Sequence, residues 1–379
     1  MIYVDNAATT KISDSVFEKM LPFLRDQYGN ASSQYSLGVK AKRAIEQARK
    51  RVATAINAEP IEIIFTSSGS ETNSWVLQSL ADSYRGESVH IITSSIEHPS
   101  ILNTCQALEK NNIEVTYLPV DSQGRVSSDD VIMALKPATK LVSIMLANNE
   151  VGTIQPIKEI GRILRDREIF FHTDAVQAIG HIPVDVRDMQ VDLLTASAHK
   201  FNGPKGTGVL FKRSGLNLCP LVFGGEQEQC LRAGTENVAG IVATGYAIEE
   251  SVADMLSISE YLRSLVSITI AGVKERITEV RVNGETDQRL PGIINLGFDG
   301  ISGESLMHLL DIKGICVSTG SACHSGRDEP SHVLLAIGLS EKQAKSAIRI
   351  SYGRYNTMED VQTIITVLSD VYEKIAKAR

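Results

Sequence analysis

The sequence predicts an α/β protein: a large domain on a mostly parallel, doubly wound sheet, followed by a smaller α+β domain at the carboxyl end. Three observations carry this. The chain has 379 residues, more than one ordinary hydrophobic core accommodates. From Ile61 to Leu210, short apolar runs alternate with stretches of helical spacing, the pattern of successive β-α-β units. Past a long helical stretch beginning at Val238, strands and helices recur in a mixed order. The expected boundaries are 16-250 for the large domain, with 1-15 and 251-379 forming the small one.

Each element has a local reason. Ile2 to Val4 is a short strand leading into a loop, Asp5 to Thr10. Phe17 to Arg25 has helical spacing, and Tyr28 to Gly38 is a loop of turn-forming residues. Val39 to Asn57 is a basic amphipathic helix with Ile45, Ala48, Val52 and Ile56 on one face and a solvated charged face opposite. Ile61 to Phe65 is a strand, and Thr66-Ser-Ser-Gly-Ser-Glu-Thr-Asn turns into a helix through Trp75 and Leu80. Val89 to Thr93 is a strand, and Glu97-His98-Pro99-Ser100 opens a helix with proline in its first turn. Ile113 to Val120 is a strand, Ser127 to Lys136 a helix, and Leu141 to Ala147 a buried strand ending at Asn148-Asn149. Ile157 to Arg167 is a helix and Ile169 to Thr173 the next strand. Leu221-Val-Phe-Gly-Gly and Arg232-Ala-Gly-Thr-Glu-Asn are loops, and Val238 to about Ala271 is one long helical stretch. The small domain holds the strands Glu279 to Asn283, Gly292 to Phe298 and Ala347 to Tyr352, and the helix Gly303 to Leu310. A terminal helix starts at Thr357, its apolar positions Val361, Ile364, Val367 and Val371 spaced by the helical period.

Composition excludes several classes of function. Hydrophobic residues make up 43% of the chain, enough for a substantial core, and the net charge of -7 argues against broad electrostatic binding of nucleic acid. Five scattered cysteines give neither a disulfide framework nor a metal-ligand spacing. The amino terminus has no basic-then-apolar signal, and no apolar run reaches membrane-spanning length. A reducing, cytoplasmic setting is expected, which suits a reactive thiol.

The candidate chemistry centres on Ser197-Ala-His-Lys. Lys200 lies just past an apolar run that begins at Val191, on a turn of small residues. A partly desolvated lysine loses preference for its charged form and can act as nucleophile and base, as Schiff-base chemistry with pyridoxal phosphate requires. Asp174 ends the preceding apolar run. Residues just beyond the carboxyl ends of parallel strands converge on one crevice, and a carboxylate there can keep a pyridine nitrogen protonated. The turn at Gly69 and Ser70 opens a helix and offers free backbone N–H groups to an anion, though Ser and Thr there also suit an ordinary helix cap. Cys316 sits in an apolar run and reads as inert. Cys323 lies in a polar stretch with His324 and Arg327, which favour a thiolate; the expectation is an exposed, mobile loop over about 316-330. Arg349 has the planar guanidinium that binds a carboxylate through two hydrogen bonds, and a surface arginine is the alternative.

Asp5-Asn-Ala-Ala-Thr-Thr, Thr66-Ser-Ser-Gly-Ser-Glu-Thr-Asn, Glu97-His-Pro-Ser, Asn148-Asn-Glu-Val-Gly, His172-Thr-Asp-Ala-Val-Gln, Ser197-Ala-His-Lys, Arg232-Ala-Gly-Thr-Glu-Asn and Gly320-Ser-Ala-Cys run in order along the chain. On these motifs the sequence resembles the class V aminotransferases, fold-type I enzymes of pyridoxal 5'-phosphate, and within them the cysteine desulfurases. The resemblance implies a large domain with a seven-stranded-type sheet and a small domain carrying the catalytic cysteine loop. It implies that Gly69 and Ser70 hold the cofactor phosphate, with Thr235 reaching the phosphate of the neighbouring subunit of a homodimer. It implies that Asn149 and Gln177 reach the phenolic oxygen, that Ser197 and His199 complete the cofactor contacts, and that His98 lies over the ring and relays protons. Asn149 and Arg349 would bind the substrate, L-cysteine, with Arg349 on its carboxylate. Cys323 would collect sulfur as a persulfide and pass it to a protein acceptor, an iron–sulfur scaffold or a tRNA-thiolation enzyme. A selenocysteine lyase or a class V aminotransferase is the alternative. The sequence departs from the family pattern at Ala31, Tyr35 and Thr319.

Overall fold

The computed structural model describes residues 1–284, 287–319 and 329–377. In chain order the elements are β1 (Ile2–Tyr3), α1 (Asp14–Arg25), α2 (Ser36–Ala55), β2 (Ile63–Thr66), α3 (Gly69–Ser83), β3 (His90–Ser94), α4 (Pro99–Glu109) and β4 (Glu114–Leu118). There follow α5 (Ser128–Ala134), β5 (Thr139–Ser143), α6 (Ile157–Leu164), β6 (Phe170–Asp174), β7 (Leu193–Ser197), β8 (Gly208–Lys212), α7 (Val238–Ala253) and α8 (Met255–Arg276). The last are β9 (Val280–Asn283), β10 (Ile293–Phe298), α9 (Gly303–Ile312), β11 (Ile315–Cys316), α10 (His332–Ala336), α11 (Glu341–Ala344), β12 (Ala347–Ser351) and α12 (Met358–Lys377).

The main sheet has seven strands in the order β2-β8-β7-β6-β5-β3-β4. Only β8 runs against its neighbours; β4, β3, β5, β6 and β7 are parallel. Every residue of β3 and β7 is buried, as expected where helices cover both faces of a parallel sheet. The covering helix α2 sits as its period predicts, with Ile45, Ala48, Val52 and Ile56 all in the core. The carboxyl ends of β6 and β7 fall at Asp174 and Ser197, so both open onto one edge of the sheet.

A second sheet, β12-β10-β9, is antiparallel and packs with α8, α9 and α12 around a separate core that includes Leu262, Phe298, Leu306 and Val361. The amino terminus is stitched to this second core. Val4 packs in it, β1 pairs in parallel with β11, and Asp5 bridges Ser351. Ala7, only three residues further, packs in the main core.

Some elements differ from the sequence expectation. The long helical stretch from Val238 is two helices, because Asp254 closes α7 with its N–H on the Glu250 and Val252 carbonyls and then begins α8. The helix α1 starts before the apolar spacing does, since Ser13 caps it by accepting from the Val16 N–H at 3.2 Å. The two-residue β11 and the short α10 and α11 carry too few residues to show a period.

Candidate active site

Asp174 and Lys200 are brought together by the strand ends. Asp174 is buried, and each carboxylate oxygen already accepts one hydrogen bond. The Val176 N–H donates to Oδ1 at 2.9 Å and Asn73 Nδ2 to Oδ2 at 2.7 Å. Lys200 closes a 3-10 turn, Ala198–Lys200, immediately after β7. Its Nζ donates to the Ala8 carbonyl at 2.8 Å and also to the Ala7 carbonyl. Gln177 Nε2 donates to the same Ala7 carbonyl at 2.7 Å. The loop Asp5 to Thr10 is thus part of the site, and the carbonyl of His199 accepts from the Thr10 N–H at 2.9 Å to hold it there.

His98 stands at the head of α4 within electrostatic reach of both groups. Burial lowers its proton affinity, Asp174 opposes that shift, and Lys200 reinforces it. Beside it, Glu97 is fully buried; its Oε1 accepts from Ser94 Oγ at 2.6 Å and from the Met145 N–H at 2.9 Å. Desolvation pushes the Glu97 carboxyl up to about 8. His172, behind the site on β6, is hydrogen-bonded through both ring nitrogens to Ser143 and Thr195, and burial pushes it down to about 3. His199 packs on Thr9 at 3.2 Å, and burial with the Lys200 and Lys205 charges lowers it to about 4.

Gly69 and Ser70 open α3. Ser68 caps the helix by accepting from the Glu71 N–H at 3.1 Å, so a cap and an anion-facing helix terminus coexist. Gly69 is a close-packed position: a Cβ there would lie 2.8 Å from Val176 Cγ2 and 3.5 Å from Ser197 Cβ. That contact places the head of α3 against the strand end that carries Lys200.

Arg349 lies mid-strand in β12, 2% exposed, not on the surface. Its Nη2 donates to Asp5 Oδ1 at 2.7 Å and its Nη1 to the Asn149 carbonyl at 3.0 Å. Its Nε is buried with no hydrogen-bond partner among the described residues. Asn148, rather than Asn149, caps its own loop: its Oδ1 accepts from the Glu150 and Val151 N–H groups at 2.8 and 3.0 Å. Thr235 is exposed, on the loop beyond the bridge between Val222 and Arg232. Cys316, expected in a buried run, is only half-buried in β11, and burial raises its thiol. Cys323, with His324 and Arg327, lies outside the described residues.

The set fits pyridoxal phosphate. Asp174 has acceptor capacity left for a pyridinium nitrogen, the head of α3 offers N–H groups to a phosphate, and Lys200 supplies the amine. The buried Oδ1 of Asn73, next to Asp174, also has no hydrogen-bond partner among the described residues. No group of metal-ligating side chains occurs among the described residues, and no helix among them is long and apolar enough to cross a membrane.

The family model described as aminotransferase class-V matches residues 2–364. The chain belongs to the class V aminotransferase family. A class V relative from Clostridium botulinum named cysteine desulfurase IscS is 49% identical over 98% of this chain and 94% of its own length. A namesake from Methanosarcina thermophila is 48% identical over 99% and 92%. Among solved structures, a NifS-like protein superposes with a TM-score of 0.92 at 38% identity, covering 99% of both chains. The SspA protein in complex with cysteine superposes with a TM-score of 0.83 at 38% identity, covering 94% of this chain and 100% of its own. Membership of this class V family implies pyridoxal phosphate in general terms.

The motifs of the sequence did not single out Asn73, Ser100, Glu97 or Asp5 for any role. Each lies inside a quoted motif, but its part depends on side chains distant in sequence.

Proposed function

We propose that the protein is a pyridoxal 5'-phosphate-dependent L-cysteine desulfurase that yields L-alanine and a persulfide on Cys323. The observation that carries this is the meeting of Asp174, Lys200 and His98 at one edge of the sheet, in a chain 49% identical to a protein named cysteine desulfurase. The solved relative in complex with cysteine supports the substrate.

The cofactor's contribution is that of an electron sink for the substrate α-carbon. Asp174 would hold the pyridine nitrogen, Gly69 and Ser70 the phosphate together with Thr235 of a second copy, Asn149 and Gln177 the phenolic oxygen, and Ser197 and His199 the remaining cofactor contacts. Lys200, released from the Ala7 and Ala8 carbonyls, would supply the amine for the cofactor and the base for the substrate α-proton, with His98 assisting the proton transfer. The Nε edge of Arg349 receives the substrate carboxylate. The Cys323 thiolate attacks the substrate sulfur: a sulfur–sulfur bond forms, the carbon–sulfur bond breaks with its electron pair left on carbon, and protonation there gives alanine. The persulfide passes to a protein acceptor, an iron–sulfur scaffold or a tRNA-thiolation enzyme. Residues 16-250 serve as the cofactor domain, and 1-15 with 251-379 as the domain carrying the cysteine. Support for the homodimer comes from Phe223, 85% exposed on the stretch leading to Thr235.

Incubation of purified protein with L-cysteine tests the proposal. Alanine should form, and the Cys323 peptide should gain one sulfur atom. Cys323→Ser should keep the visible band of the bound cofactor and lose the persulfide. Full-rate desulfuration by Cys323→Ser, or amino transfer without alanine, would overturn the assignment; the second outcome points to the aminotransferases.

A further inference from the structure

His98 is gripped by donors at one ring nitrogen. Its Nδ1 accepts from the Ser100 N–H at 3.1 Å and lies 2.8 Å from Ser100 Oγ. The first bond makes Nδ1 an acceptor, so the second runs from the Ser100 hydroxyl to it. Asn73 Nδ2, which can only donate, lies 3.0 Å from Ser100 Oγ, and that oxygen accepts from it. The second hydrogen of the same Asn73 Nδ2 goes to Asp174 Oδ2 at 2.7 Å. One amide thus joins the carboxylate at the end of β6 to the histidine at the head of α4. The helices α3 and α4, which carry Asn73 and Ser100, are also tied where Ser74 Oγ meets Thr104 Oγ1 at 3.1 Å.

A nitrogen faced by two donors has no room for a proton of its own. We propose that Asn73 and Ser100 are positioning residues that hold His98 as its neutral Nε2–H tautomer, so that it meets the reacting groups as a hydrogen-bond donor at Nε2 and not as a base. The inference rests on the proposed desulfurase reaction and makes the part of His98 in it hydrogen-bond donation rather than proton uptake. The charged groups facing His98 are Asp174 from β6 and Lys200 from the turn after β7. Protonation at Nδ1 would set N–H against N–H at Ser100. The network therefore works with burial, and against Asp174, to keep the ring neutral.

Nitrogen NMR of histidine-labelled protein tests this, on the cofactor-free chain and on the loaded one, with His98→Gln identifying the signal. The wild type should show Nδ1 as an unprotonated acceptor and Nε2 protonated. Ser100→Ala removes one bond that only the neutral ring accepts, and should raise the proton affinity of His98 about tenfold. Ser100→Thr, which keeps the hydroxyl, should restore the wild-type titration, and Asn73→Leu should shift it in the direction of Ser100→Ala. A protonated Nδ1 in the wild type, or superimposable titrations for Ser100→Ala and wild type, would overturn the inference. The measurement on the cofactor-free chain is independent of turnover. A chain with the expected tautomer but no alanine production would uphold this inference and remove the functional reading alone.

Discussion

A buried guanidinium needs a counter-charge whether or not substrate is present, and at Arg349 that charge is Asp5. An unpaired buried charge is strongly disfavoured, and a charge-assisted hydrogen bond also fixes the plane of the group it holds. Asp5 and the Asn149 carbonyl take one Nη each and leave Nε. Asp5→Ala should therefore let the guanidinium turn, and the KM for L-cysteine should rise roughly tenfold to a hundredfold, as for the loss of one charged hydrogen bond. The change in kcat should be much smaller. Asp5→Asn, which keeps an acceptor but not the charge, should fall between. Steady-state kinetics with cofactor absorbance as a folding control decides it; an unchanged KM in Asp5→Ala would remove Asp5 from substrate binding. The sequence made Lys200 and Asp174 legible because each ends an apolar run, which fixes its place in a parallel sheet. Asp5 was not legible as a partner of Arg349, since no periodicity links residues at opposite ends of the chain.

At the scale of elements, period and cap chemistry disclosed the long strands and helices, and boundaries moved where a cap sat outside the apolar pattern, as Ser13 does for α1. The loop after β8 was less legible. Glu228, Gln229 and Cys230 all have positive φ, at 46°, 61° and 63°, a run that residues with a Cβ disfavour. The run is held by a buried pair. Arg49 on α2 grips Glu228 through two bonds of 2.9 and 2.8 Å, and the Phe65 N–H on β2 donates to the same carboxylate at 2.8 Å. Arg49 also donates to the Ile63 carbonyl at 2.7 Å. Nothing in the local sequence announces a left-handed turn, because its cause is a residue on another helix. Removing one partner of a buried pair leaves the other charge uncompensated, at a cost of about 3–5 kcal/mol. Urea unfolding of Glu228→Ala should show a loss of that order. The double variant Arg49→Met, Glu228→Leu should lose less than Glu228→Ala alone. Equal stability of Glu228→Ala and wild type would mean that the pair does not hold the turn.

Across the whole molecule, buried titratable groups set the dependence of stability on pH. Glu97 is pushed up to about 8 and Glu150 to about 7, each by burial. Groups raised in the folded state contribute stability that is full below their unfolded value, near 4.5, and is lost as pH rises through the folded one. His172, pushed down to about 3 and fully buried, works in the opposite sense: its contribution is present above 6.5 and lost as pH falls toward 3. Between pH 4.5 and 6.5 the two kinds of group oppose each other. Above 6.5 the histidine no longer changes, and the carboxyls alone act. Stability should then fall toward pH 8 by about 1.4 kcal/mol per pH unit for each carboxyl still protonated in the folded chain. Glu97→Gln keeps an acceptor for Ser94 Oγ and the Met145 N–H and cannot ionise. Urea midpoints from pH 6.5 to 8 should fall less steeply in this variant than in the wild type. Because both proteins bind the same cofactor, its own titration cancels in the comparison. Parallel curves would mean that Glu97 is already ionised in the folded chain, and that its buried oxygen has found a compensating charge.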